Sequence, residues 1–241
     1  QAVGGKIVVY GGPGQVCFTS NGNDPRACVP LVDRGPYYAV EVPPTATSGV
    51  VTTTDPTGQT AYEFLYVLPV PTKLLPETAQ VDYAIKVIGD GLLQGSIEQV
   101  WMRRRGISPP FVAAEFLWLP GGERGFIVPP GAVTGPIWLG LEPEGDVSDK
   151  GLVLHLRPRI LSVTRDGRAE VQGYNLTMHG FFFSATIDGV EALVSDETED
   201  LQGFLGDGVE QLSVSTIALM KKGSGKLTIS TPDGSDTYDL F

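Results

Sequence analysis

Hydrophobic and polar residues alternate with period two through much of the chain. In "VDYAIKV", Val81, Tyr83, Ile85 and Val87 fall on one face, with Asp82 and Lys86 opposite beside Ala84. In "GLVLHLRPR", Leu152, Leu154 and Leu156 repeat the pattern and put His155 on the other face with Val153. Such alternation predicts half-buried antiparallel strands. From Ala61 to Arg159 seven apolar runs follow one another, separated by Gly or Pro: "AYEFLYVLPV", "AQVDYAIKVIG", "GSIEQVWMRRR", "FVAAEFLWLP", "RGFIVPP", "GPIWLGLEP" and "GLVLHLRPR". None has the period of a helix, so the expectation is an all-β protein whose N-terminal part is an immunoglobulin-like or jelly-roll sandwich.

Ahead of these runs, "GGKIVVY" is a short β-branched strand closed by the breaker "GGPG", and "PYYAVEVPP" is a second strand. Between them lies "VCFTSNGNDPRACVP", whose Cys17 and Cys28 enclose ten residues rich in turn formers. The polar, Thr-rich stretch from Pro43 to Thr60 reads as a surface loop, an extended edge segment or a linker. Residues 1–157 are expected to form one stapled N-terminal sandwich.

The last third adds five short strands: "PRILSV", "VQGYNL", "FSATIDGV", "QLSVST" and "GSGKLTISTPDG". In this order they resemble the strands of an IPT/TIG domain, a small immunoglobulin-like sandwich common in cell-surface proteins and as an accessory module on enzymes. The resemblance covers residues 158–241 and makes Thr231-Pro232-Asp233-Gly234 the turn of the last hairpin. It departs from the family at "TRDGRAEV", which holds only Gly167 where a Gly-rich segment usually stands. It implies a module without a built-in active site, one that binds partners, packs against neighbouring domains or spaces them.

Composition narrows the function. Gly (31) and Pro (19) exceed a fifth of the 241 residues, which suits many turns and disfavours long helices. A net charge of −11 argues against a phosphate-backbone partner, so no nucleic acid is expected. Arg103-Arg104-Arg105 is the one basic run, read as a solvated strand edge that discourages aggregation. No apolar run approaches the ~18 residues that span a membrane, so no membrane insertion is expected. The two cysteines lack partners for zinc or a redox motif and are expected to form a disulfide, which persists mainly in oxidising compartments. With Gln1 in place of Met, the pair reads as a mark of a processed, secreted protein; a trimmed chain would also begin this way.

Candidate chemistry is sparse. The only histidines are His155 and His179, and neither accompanies a G-x-S-x-G elbow or an H-E-x-x-H helix, so no catalytic residue is assigned. The acidic stretch around "SDETED" lacks the alternating spacing of a calcium loop, so a solvated face is expected and no metal ligand or cofactor is assigned. Trp101, Trp118 and Trp138 sit in apolar runs and are expected in the core; glycan binding on them has no positive support. Asn175-Leu176-Thr177 matches the glycosylation sequon, making Asn175 a candidate acceptor, although a structural turn explains the same residues.

The expected function is that of a secreted, non-enzymatic structural or adhesive subunit of an extracellular assembly, a filament or cell-surface layer, partnered by itself or by other protein subunits. Lys6, Ile7, Val8, Val9 and Tyr10 are the candidate strand donor, because a short apolar strand bounded by glycines can complete a neighbour's open sheet. Alternatives are a virion capsid, decoration or tail protein, and a carbohydrate-binding or accessory module of a secreted enzyme.

Overall fold

The computed structural model describes residues 4–10, 12–20, 26–92, 99–104, 110–140, 152–165, 169–176, 184–192, 194–196, 209–214 and 225–240. Among them there is no helix, and the strands assemble into six sheets that face one another in pairs around three separate cores. The chain is all-β and built of β-sandwiches. Residues 1–157, read from the sequence as one sandwich, hold two of the cores.

The first core lies between a sheet of β1 (Lys6–Val9), β5 (Tyr38–Glu41) and β4 (Val32–Asp33) and a sheet ordered β3 (Arg26–Pro30), β2 (Gln15–Thr19), β6 (Gly49–Thr54) and β7 (Thr60–Leu65). Val16, Phe18, Val40, Val42 and Val51 fill it. The Thr-rich stretch expected as a surface loop, an extended edge segment or a linker contains β6, an interior strand. Threonine is β-branched and fits a pleated surface, and Thr52 is as well buried as the neighbouring Val51.

The second core, from Leu74 to Leu156, lies between sheets ordered β13 (Leu117–Leu119), β14 (Glu123–Ile127), β10 (Ala84–Asp90), β8 (Val70–Leu75) and β12 (Phe111–Glu115), β11 (Gln99–Arg104), β15 (Ala132–Leu139), β16 (Val153–Leu156), β9 (Thr78–Ala79). Leu154 and Leu156 are buried as their alternation predicts. The face proposed for Val81, Tyr83, Ile85 and Val87 is broken at Tyr83, which is half exposed. The cause is a tight turn in which Asp82 takes a φ of 68° and the Tyr83 N–H bonds to the Gln80 carbonyl, so β10 starts only at Ala84. Arg103 and Arg104 do not form a sheet edge, because β11 runs between β12 and β15; Arg105 lies outside the described residues.

The third core lies between sheets ordered β17 (Arg159–Arg165), β18 (Ala169–Tyr174), β22 (Glu210–Val214), β21 (Val194–Asp196) and β20 (Val190–Ala192), β19 (Ser184–Ile187), β23 (Gly225–Thr231), β24 (Gly234–Leu240). Leu227 and Ile229 are fully buried while Thr228 and Ser230 point away, as the sequence pattern predicts. Thr231 pairs with Gly234, so Pro232 and Asp233 form a two-residue turn at the tip of the β23–β24 hairpin.

Candidate functional site

A polar constellation that links two sandwiches lies at the tip of that last hairpin, seated on the second sandwich. The Asp233 carboxylate receives the Thr134 hydroxyl on Oδ2 and the His155 Nδ1 on Oδ1, each at 2.7 Å. A carboxylate only accepts, so the imidazole carries its proton on Nδ1 in this contact. Thr134 in turn accepts the Leu156 N–H at 2.8 Å, which occupies its oxygen on both sides. The Asp233 side chain is 9% exposed and the His155 side chain 48%, so the inner bond to Thr134 is the better shielded. Gly234, at a φ of 138°, lets the chain pass directly against the stem of Arg157.

Local sequence explains this placement. A Pro-Asp turn projects a short carboxylate from the hairpin tip, and alternation on β16 sends His155 outward while Leu154 and Leu156 point into the core. A second set of contacts lies at the Gln80–Asp82 turn. Gln80 Nε2 donates to the Pro158 carbonyl at 2.6 Å, Arg159 donates to the Val81 carbonyl at 2.8 Å, and Arg159 also pairs with Asp82. Tyr174 of β18 packs on the second core. The boundary near Arg157–Arg159 is thus held by three groups of contacts on residues distant in sequence.

Threonine, histidine and aspartate are the residue types of a nucleophilic relay, but the order is wrong for one. In a relay the base touches the nucleophile and the acid stands behind the base. Here Asp233 stands between Thr134 and His155, one on each carboxylate oxygen. The arrangement suits a clamp that fixes two sandwiches relative to one another.

Cys17 and Cys28 form a disulfide between directly opposed residues of β2 and β3. The row continues across the sheet through Thr52 to Tyr62, so the bridge and Tyr62 share the sheet's outer face. Lys6, Ile7, Val8 and Val9 pair with Glu41, Val40, Ala39 and Tyr38 of the same chain, and Ile7 and Val9 pack on their own core. Tyr10 follows at 82% exposure.

Asn175 has a φ of 52° and is buried at 8% exposure, the environment of a turn residue; a glycan there would need its amide brought to the surface. Thr177, His179 and most of the acidic stretch lie outside the described residues. None of the tryptophans is a core residue. Trp101 and Trp138 oppose one another on the outer face of β11 and β15, with Phe111 edge-on to Trp138 at 5.4 Å, and Trp118 is 57% exposed with the Arg124 guanidinium over its ring. Sequence reasoning missed both this outer face and the Asp233 clamp. The T-P-D-G turn was the available signal for the second, since only the fold brings it to β15 and β16. No family model matches the chain, and no curated protein matches its sequence.

Proposed function

We propose that the chain is a secreted, non-enzymatic structural or adhesive subunit of an extracellular assembly, with the C-terminal sandwich acting as an IPT/TIG-like spacer. The observation that carries this reading is the clamp: the one Thr–His–Asp grouping among the described residues is consumed in joining two sandwiches. Interdomain linkage of this kind fixes the orientation of one sandwich on the next, which a repeating assembly needs. The disulfide supports an oxidising compartment. A low charged fraction of 19% and the strands on nearly every described segment suit a body whose role is shape.

The test is the native mass of the purified chain by light scattering, with and without reductant, over a wide concentration range. Concentration-dependent growth beyond 25.7 kDa supports the reading. A monomer under every condition contradicts self-assembly and turns attention to other protein subunits as partners.

A further inference from the structure

The edge strand β7 lacks the devices that guard several other sheet edges, and it is more exposed than β12, an edge that also lacks them but whose residues are mostly half-buried. β8 carries Pro71 and Lys73, β17 a bulge, and β24 Asp236 and Asp239, all devices that discourage pairing with another chain. β7 pairs with β6 over six unbroken positions, and between Thr60 and Leu65 it holds no Pro, Lys or Arg and a single acid, Glu63. Its residues from Thr60 to Phe64 are all exposed, with Tyr62 at 69% and Phe64 at 52%.

The backbone of β7 is oriented for a further strand. The Asp55 N–H donates to the Gln59 carbonyl at 3.0 Å, which makes 55 and 59 a hydrogen-bonded pair. Pairs then alternate along an antiparallel ladder, so Thr54–Thr60, Thr52–Tyr62 and Val50–Phe64 are not hydrogen-bonded to each other. The N–H and C=O groups of Thr60, Tyr62 and Phe64 therefore point to the open edge. The same residues carry their side chains on the outer face of the sheet.

We propose that β7 is a self-association strand through which two copies of the chain join their first sandwiches. The strands pair antiparallel about a twofold axis at Tyr62. Tyr62 then meets the second Tyr62, Thr60 meets Phe64, and Ala61 meets Glu63, so all five positions lie within the strand. Centring the axis one residue further on opposes Glu63 to Glu63. This matters for a chain of net charge −11, whose copies repel one another, so a register that keeps the one acid of β7 away from its own copy adds least to that repulsion. Two aromatic rings opposite one another add cross-strand stabilisation. The contact is small, so affinity in the micromolar range is expected.

The inference rests on the assembly reading above, and its test separates the two. Sedimentation equilibrium of the full chain up to about 500 μM is compared with Tyr62→Lys, while Tyr62→Cys and Phe64→Cys are oxidised mildly and run on non-reducing gels. Both side chains are exposed, and circular dichroism verifies that each variant folds. The expected result is a reversible dimer contact, weakened at least tenfold by Tyr62→Lys. Tyr62→Cys should cross-link, because directly opposed Cα atoms lie about 5.5 Å apart. Phe64→Cys should not, because its copies are offset by four residues, roughly 13 Å. Association indifferent to Tyr62→Lys, or equal cross-linking of the two cysteine variants, overturns the β7 pairing and leaves the assembly reading standing. A dimer that follows this pattern but never grows keeps the pairing and contradicts the larger assembly. A monomer at every concentration overturns the β7 pairing and self-assembly together, and leaves only assembly with other protein subunits.

Discussion

Replacing Asp233 with alanine removes the acceptor for two side chains of the second sandwich. The bond from Thr134 is shielded and charge-assisted, worth about 1.5 kcal/mol net. The bond from His155 is half exposed and contributes roughly 0.5 kcal/mol after solvent screening. Together they place the cost of Asp233→Ala at about 2 kcal/mol. The readout is selective, because Trp101, Trp118 and Trp138 all lie in the second sandwich, on β11, β13 and β15. With a urea slope of about 1 kcal/mol per molar for a unit of this size, the tryptophan transition should move down by roughly 2 M. Asp239→Ala, an exposed site on the same β24 strand, serves as the control. Asp233→Asn keeps an acceptor for Thr134 and should fall between. A tryptophan midpoint no lower for Asp233→Ala than for Asp239→Ala would refute the coupling between the hairpin tip and the second sandwich.

Other parts of the fold give sharper local expectations. Gly173→Ala should cost at least about 3 kcal/mol and unfold the third sandwich, because the added Cβ would overlap the Arg159 carbonyl oxygen, a backbone atom that cannot swing away; proteolysis of that sandwich is the measure. Cys17→Ser with Cys28→Ser should destabilise the first sandwich by about 3 kcal/mol from the enclosed loop, seen as faster amide exchange in β2 and β6 with the tryptophan transition unmoved. Asp55 caps the β6–β7 turn: the Thr57 hydroxyl above all, helped by the Gln59 and Thr57 amides, holds its carboxyl below the ordinary value of 3.8. A depressed folded value means this contribution is complete above 3.8 and is lost as pH falls through the lower folded value. Protection of the Thr57 and Gln59 amides against exchange, relative to their intrinsic rates at each pH, should therefore fall on acidification below pH 3.8, and Asp55→Asn should flatten that dependence.

In the third sandwich Leu227 and Ile229 on β23 were legible from the period-two rule alone, whereas β18 and β22 were read from the family resemblance, since buried Glu210 and Ser213 break the alternation of β22. The turn at Pro232 and Asp233 was legible from residue type. Its partners were not, since Thr134 is 99 positions away in sequence and no local pattern marks an outward Thr as a carboxylate donor. Tyr83 was misplaced because a positive φ at Asp82 shifts the phase of alternation without any change in residue type. The stretch that holds β6 was read as a surface loop, an extended edge segment or a linker because threonine counts as polar in a hydropathy pattern, yet its branched Cβ suits an interior strand. The tryptophans illustrate the converse: apolar neighbours in sequence point to opposite faces of a strand, so Trp101 is outside while Val100 and Met102 are buried. The division of the first 157 residues between two cores follows from sheet pairing, which alternation alone does not encode.

The most direct measurement of the structural role is negative-stain microscopy of material taken from the producing cells' surface and medium, labelled with an antibody to this chain. Label recurring at a regular spacing along filaments or across a layer is the expected result, and it should vanish into scattered single particles in the Tyr62→Lys strain. Label found only on isolated 25.7 kDa particles in the unmodified strain would contradict the proposed function.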